Sequence, residues 1–352
     1  MKGLMKSGIV RSVKRYGLLF VLFAAAGSAV VCQTEASIAP KPPDAPQRWK
    51  NLVGIYASAN DTLLIAEKDG ALCIVTHKMQ YVQLSDSTEN VYHISAARLY
   101  GGEALRFNGK TDVRPSSLTI GAVSFQRLIV GNEHGASFRI KPLKSAEELR
   151  AIALVATPPN EKGDFLKPDL IDLSTLSPTI KFDIRYATTN NFVGEKFYTQ
   201  AKAFLQRPAA DALLRAHLWL RQFGYGLLIH DAYRPWYVTK MFWDATPDDK
   251  KIFVADPSEG SRHNRGCAVD LTLYDLKTGK QLEMTGGYDE MSERSYASFP
   301  GGTSLERWNR DLLRTAMTMQ GFKVYDFEWW HFDYKDWRKY RIGTNTFEEL
   351  ER

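Results

Sequence analysis

Apolar residues are spaced in three different ways along this 352-residue chain. Near the amino end they form one unbroken run, residues 18–26. From about residue 48 to 142 they come in short runs, among them Leu63-Leu64-Ile65-Ala66, Leu72-Cys73-Ile74-Val75 and residues 125–130. The pairs Asn60-Asp61, Asp69-Gly70, Gly101-Gly102 and Asn108-Gly109 separate these runs. Short apolar runs punctuated by such pairs predict strands joined by tight turns, hence a small all-β sandwich or barrel. Further on, residues 144–156 predict a short helix that Thr157-Pro158-Pro159-Asn160 would stop. Beyond that point both periods occur. Residues 180–186, 225–229, 268–274 and 323–327 read as strands. Residues 208–223 read as a helix, with Pro208 near its start, an apolar stripe of Leu213, Leu214 and Leu218, and Gly224 at its end. Residues 305–320 read as another helix, closed by Gly321. Several strands with segregated helices predict an α+β class.

The leading run changes the reading of charge. Lys2, Lys6, Arg11, Lys14 and Arg15 precede it, and the small residues Gly27, Ser28 and Ala29 follow. This is the pattern of a cleaved signal peptide. Lipidation of Cys32 and an uncleaved anchor over residues 16–32 are the two alternatives, and all three export the protein. The formal charge of the whole chain is +6, and setting those five cations aside leaves +1. A near-neutral body provides no field for nucleic acid. Of three cysteines, Cys73 and Cys267 remain beyond the leader and read as unpaired thiols in apolar surroundings. The expected organisation is a leader over 1–36, a proline-rich linker over 37–47, an all-β accessory domain over 48–142, a linker over 143–165 and a catalytic domain over 166–352. His77, His93 and His134 are scattered through the all-β region without ligand spacing.

Two segments carry candidate chemistry. One is Ser261-Arg262-His263-Asn264-Arg265-Gly266-Cys267-Ala268-Val269-Asp270, and the other is Glu328-Trp329-Trp330-His331. A catalytic zinc keeps three nitrogen or oxygen ligands and leaves one position for water. His263, Asp270 and His331 supply two imidazoles and a carboxylate. Gly266 lets the backbone turn, and Asp270 then shares a strand face with Ala268, so a turn followed by a strand brings His263 and Asp270 together. His331 must arrive from another strand or loop. Glu328, three residues earlier, is the natural base, and the two tryptophans would exclude water and raise its proton affinity. Each residue taken singly has a plainer reading: packed histidines, and a glutamate in a salt bridge.

The pattern Ser-x-His-x-x-Gly-x-Ala-x-Asp followed by Glu-x-Trp-His resembles the zinc D-Ala-D-Ala dipeptidases of vancomycin resistance, within the wider D-Ala-D-Ala carboxypeptidase superfamily. Arg185-Tyr186-Ala187-Thr188, Asn191-Phe192-Val193-Gly194, Gly224-Tyr225-Gly226-Leu227-Leu228, Asp231-Ala232-Tyr233-Arg234-Pro235, Asp270-Leu271-Thr272-Leu273-Tyr274 and Glu293-Arg294-Ser295 continue the resemblance in order. It covers roughly residues 168–335 and leaves the β-rich region out. It implies zinc on His263, Asp270 and His331, Glu328 as catalytic base, and Arg234 as stabiliser of the tetrahedral intermediate. It also implies a substrate pocket lined by Ser261, Tyr186 and Asp289, with Asp289 anchoring a free amino end. A structural salt bridge for Arg234, a core position for Tyr186 and a turn for Asp289 are the alternatives. Cys267 departs from the small residue usual at its position. Separately, Leu52-Val53-Gly54-Ile55-Tyr56 and the hairpin after it resemble the lipocalin-like β-domains attached to some bacterial serine hydrolases.

The implied fold is a mixed small sheet with flanking helices forming a zinc peptidase domain, α+β in class, preceded by a small all-β domain of lipocalin-like or sandwich type. The implied activity is zinc-dependent hydrolysis of D-Ala-D-Ala or a related dipeptide in the periplasm or cell envelope. A D,D-carboxypeptidase or endopeptidase acting on peptidoglycan stem peptides shares the same metal chemistry, and a non-catalytic envelope-binding protein is the third reading. Membrane attachment is expected through the amino terminus only.

Overall fold

A computed structural model describes residues 38–88, 90–96, 99–110, 112–131 and 139–351. The expected leader, Cys32 and His134 lie outside the described residues. After a short helix, α1 (Gln47–Leu52), come eight strands. They are β1 (Gly54–Ala57), β2 (Thr62–Lys68), β3 (Ala71–Val75), β4 (Tyr81–Thr88), β5 (Val91–Ile94), β6 (Ala104–Asn108), β7 (Ser117–Ile120) and β8 (Val123–Leu128). Each pairs antiparallel with the next, and β1 pairs with β8 through Ile55↔Leu128 to close a barrel. Local chemistry drives the hairpins. Between β2 and β3, Asp69 and Gly70 both take positive φ (52° and 80°), the geometry a two-residue turn demands. The interior is packed with side chains. Tyr56 and Tyr92 meet Phe107 edge-to-face at 5.9 and 5.6 Å between ring centroids, and Leu52 of α1 joins the same cluster.

This overturns the expected fold class. The largest sheet is a closed eight-stranded antiparallel barrel, accompanied by a few helices, so the chain is not an α+β unit with a lipocalin-like or sandwich appendage. Closure depends on the β1–β8 pair, whose partners lie about seventy residues apart, and the short apolar runs are equally compatible with open sheets. From Ile38 to Arg352 the chain clusters as one compact unit.

The remainder begins with α2 (Ala146–Val155), whose start is fixed by a reciprocal cap between Ser145 and Glu148. Then follow β9 (Leu170–Asp172), β10 (Lys181–Phe182), β11 (Phe204–Gln206), α3 (Arg207–Arg221), β12 (Tyr225–Asp231), α4 (Trp236–Ala245), β13 (Ala268–Asp275), α5 (Ser304–Met319), β14 (Phe322–Tyr325), β15 (Glu328–Tyr334) and α6 (Phe347–Leu350). Strands β9 and β11 pair with each other. The other five form a sheet in the order β10-β12-β13-β15-β14, parallel only between β10 and β12. Helices α3 and α5 pack on each other and against this sheet. Val269, Leu271 and Leu273 of β13 are fully buried in the same core as Leu313 and Met317 of α5.

Two differences from the expected elements shape the site. The strand expected over 180–186 stops at Phe182, and the chain enters a 3-10 turn at Arg185–Ala187 that carries Tyr186. Helix α4 was not foreseen, because Trp236-Tyr237-Val238-Thr239 opens it with aromatic and β-branched residues of low helix propensity. Burial of Trp236, Tyr237, Val238, Met241 and Phe242 overrides that preference. Among the described residues no helix is long and apolar enough to cross a membrane.

Candidate active site

Sheet register brings the first two candidate ligands together. Asp270 on β13 lies directly opposite His331 on β15, so both side chains rise from one face. His263 comes from a 3-10 turn, His263–Arg265, just before β13. Gly266 ends that turn at φ 65°, and a Cβ there would stand 2.5 Å from Leu170 Cδ2. Only glycine meets both conditions without strain.

Among the described residues, His263, Asp270 and His331 form a buried group whose donor atoms lie within 4.8 Å of one another. Nε2 of His263 is 3.1 Å from Nδ1 of His331, and Oδ1 of Asp270 is 3.3 and 3.0 Å from those two nitrogens. Their other atoms are committed outward. Nδ1 of His263 faces the Ala232 carbonyl at 2.7 Å, and Nε2 of His331 faces Asp333 Oδ1 at 3.0 Å. Carbonyl and carboxylate oxygens only accept, so these outer nitrogens carry the protons, and the lone pairs of the inner two converge on Asp270 Oδ1. Three acceptors turned on one point call for a cation among them; without a metal a proton on His331 serves, since Asp270 and Asp333 overcome burial and push this imidazole up to about 10. The donor set therefore fits a divalent metal with two imidazoles and a carboxylate, and the outward hydrogen bonds are those that orient metal-binding histidines.

Around this point runs a cleft of about 710 Å³. Its wall includes Glu328, Arg234, Ser261, Tyr186 and Asp289 together with the three candidate ligands. Glu328 Oε2 is 3.8 Å from His331 Nδ1, and its side chain is 30% exposed to the cleft. Burial raises its proton affinity and the charge of Asp270 adds to this, while His331, His263 and Arg234 pull the other way. Arg234 is buried and held by Asp231, with Nη2 and Nε at 2.7 and 3.2 Å from Asp231 Oδ2. Its guanidinium also lies over the rings of Phe242 and Tyr186, at 4.8 and 5.2 Å. Burial alone would weaken its charge, but the carboxylate of Asp231 more than offsets this and holds it protonated.

Ser261 Oγ accepts from the His263 backbone N–H at 3.2 Å, at the edge of the same turn. Tyr186 hydroxyl lies 3.2 Å from both oxygens of Asp289. Burial pushes the Asp289 carboxyl well above the usual range, reinforced by the negative charges of Asp270 and Glu328. His230 faces the Asp183 carbonyl at 3.3 Å and meets the Tyr288 ring at a tilt of 40°, outside the candidate ligand group. Cys267 is unpaired and fully buried, and burial pushes its thiol up to about 12, which leaves it a poor nucleophile.

Three residues beside the site escaped the sequence reading. Asp333 receives His331, and its position two residues along one strand is a signal that period-2 spacing contains. Asp231 holds Arg234 and also accepts from the Tyr198 hydroxyl at 2.5 Å. Tyr288 donates to Asp270 Oδ2 at 3.0 Å, and nothing in its neighbourhood marks it in advance.

A family described as D-ala-D-ala dipeptidase matches residues 167–347. The D-alanyl-D-alanine dipeptidase of Escherichia coli (strain K12) is 38% identical, over 51% of this chain and 91% of its own length. That of Enterococcus faecalis (strain ATCC 700802 / V583) is 36% identical, over 44% of this chain and 85% of its own. That of Enterococcus faecium is 35% identical, over 45% and 87%. These matches leave the barrel uncovered.

Proposed function

From its place in the D-Ala-D-Ala dipeptidase family, to which this chain belongs, we propose that it is a zinc peptidase that hydrolyses D-Ala-D-Ala or a closely related dipeptide in the cell envelope. The observation that carries this reading is the convergence of His263 Nε2, Asp270 Oδ1 and His331 Nδ1 beside Glu328. Zinc bound there would polarise the scissile carbonyl and lower the pKa of a water in the open position. Glu328 takes the proton of the attacking water and delivers it to the departing amine. Its raised proton affinity brings it nearer the pH at which both transfers run. The Arg234 guanidinium, pre-oriented by Asp231, donates to the carbonyl oxygen as negative charge develops. Asp289 anchors the substrate's amino group, whose positive charge offsets the burial and the neighbouring negative charges that raise this carboxyl's proton affinity. Tyr186 orients that carboxylate.

The test is Glu328→Gln in the purified, zinc-loaded protein. Turnover of D-Ala-D-Ala should fall by at least about a hundredfold while bound zinc stays at one per chain, the effect of losing a general base. Full turnover in the variant would remove Glu328 from its role.

The size of the cleft favours a second reading. At about 710 Å³ it has the capacity of a site for drug-sized ligands, more than two alanines fill. A stem peptide ending in D-Ala-D-Ala would use that room, with the same residues acting on its last bond. Alanine release from a stem pentapeptide, measured beside the free dipeptide, separates the two. Export follows from the basic and apolar leader, and detection of the protein in the cytosol with an intact leader would contradict it.

A further inference from the structure

We infer that Tyr288 is a positioning residue that holds Asp270 in its metal-facing orientation and ties it to the amine anchor Asp289 through Tyr186. The inference rests on the metal-dependent reading above and assigns a residue outside the proposed catalytic set. Asp270 has two oxygens with different surroundings. Oδ1 faces both histidine nitrogens, at 3.0 and 3.3 Å, and is the oxygen aimed at the metal. Oδ2 faces the Tyr288 hydroxyl at 3.0 Å. A hydrogen bond on one carboxylate oxygen leaves the other free to ligate and stops the group from rotating.

Tyr288 stands behind the cleft rather than in its wall, so it acts through Asp270 and not on substrate. Its ring is clamped. The His230 ring lies against it at a tilt, with centroids 4.7 Å apart, Trp330 meets it at 5.4 Å, and the Arg185 guanidinium lies 5.7 Å from its centroid. The backbone supports the arrangement: Asp289 has φ 55°, a left-handed conformation that aspartate tolerates better than most residues. This turn lets consecutive side chains, Tyr288 and Asp289, enter one network.

The network has a direction. Tyr288 hydroxyl is 3.3 Å from Tyr186 hydroxyl, which is 3.2 Å from each oxygen of Asp289. Each tyrosine has a single hydrogen to give. Tyr288 gives its hydrogen to Asp270, with the Tyr186 oxygen as the alternative acceptor, and Tyr186 gives its own to Asp289.

Two single-atom changes test this in the full-length protein. Zinc affinity is measured by competition with a chromogenic chelator, and kcat and KM are measured on D-Ala-D-Ala. Tyr288→Phe keeps the clamped ring and removes the hydroxyl. It should weaken zinc binding by about tenfold to a hundredfold and lower kcat. Tyr186→Phe leaves the Tyr288–Asp270 contact in place. It should raise KM with zinc affinity unchanged. Wild-type zinc affinity and kcat in Tyr288→Phe would overturn the inference while leaving the peptidase reading intact, and an equal loss of zinc in both variants would overturn it as well. If the unmodified protein fails to take up zinc, the metal-dependent reading and this inference fall together.

Discussion

At the scale of single residues, the site works because each inward-facing atom is backed by an outward one. His331 shows this most plainly, since its Nε2–H is spent on Asp333, which also pairs with Arg262. Asp333→Ala leaves that proton without an acceptor in a buried place, so zinc affinity should fall by about tenfold to a hundredfold. Unchanged affinity would show that the imidazole needs no such partner. A different histidine governs stability. Buried His217 accepts from the Leu227 N–H at 3.3 Å through Nδ1 and contacts Thr179 Oγ1 at 2.8 Å through Nε2, an arrangement only the neutral ring allows. Burial, with the nearby charge of Arg221, pushes it down to about 4. The unfolded chain titrates near 6.5, so between these values the unfolded state binds more protons and stability falls as pH falls. The loss should reach about 3 kcal/mol by pH 4. His230, likewise buried and pushed down to about 4, acts in the same window. Urea titrations at pH 7 and pH 4.5 on the wild type and His217→Gln check this, because the variant keeps both hydrogen bonds without the proton. An equal loss in the two proteins would clear His217. The grouping of His263, Asp270 and His331 as candidate ligands, with Glu328 beside them, was legible from residue type and spacing, whereas Tyr288 and Asp231 owe their contacts to tertiary packing.

At the scale of elements, the candidate metal site depends on one turn and one strand pair. Gly266 holds the turn at φ 65°, against Leu170. Gly266→Ala should cost about 1–2 kcal/mol for the left-handed backbone alone. The clash of its Cβ with Leu170 should add to this and displace His263. A lowered unfolding midpoint together with weaker zinc binding is expected, and a variant that loses stability with intact zinc affinity would separate the turn from the ligand it carries. The glycine was readable as a place where the chain turns, and β13 was readable from its apolar run. Strand β15 was harder. Trp329, Trp330, His331, Phe332, Asp333 and Tyr334 are all buried, so no alternation of apolar and polar positions betrays a strand. Its pairing with β13, which sets Asp270 against His331, is a contact between residues 61 apart in sequence. The short 3-10 turn carrying Tyr186 replaced an expected strand for a comparable reason. Apolar Ile184 and Tyr186 fit either element, and tertiary contacts of Tyr186 with Phe242, Tyr198 and Asp289 decide the matter.

At the scale of the whole molecule, the barrel lies against the element that backs the metal strands. Helix α5 packs on β13 and β15, and its first turn is held by barrel residues. The buried carboxylate of Glu67 accepts from the Ser304 N–H at 2.7 Å, where the first free amides of α5 and its dipole favour negative charge. Arg307 donates to the Glu67 carbonyl at 2.7 Å, Tyr81 hydroxyl to the Pro300 carbonyl at 2.8 Å, and Ala66 bridges Gly302 in parallel. The interior of the barrel is filled by Tyr56, Phe107 and their neighbours, and the junction is made by residues outside that cluster. Why the sequence left sandwich and barrel both open follows from the same facts, since closure and docking are long-range pairings of ordinary strand residues. If the junction is a mechanical support, cutting one contact should cost stability and spare chemistry. Glu67→Ala leaves the Ser304 and Gly70 amides without their shared acceptor and should lower stability by about 1–3 kcal/mol. Glu67→Gln keeps one of the two acceptor oxygens and puts an NH2 donor in place of the other, so one amide keeps its partner and the loss should be smaller than in Glu67→Ala. In both variants kcat, KM and zinc affinity should match the wild type at temperatures below unfolding. A fall in kcat at full folding would mean instead that the barrel sets the position of α5 and, through it, of Asp270 and His331.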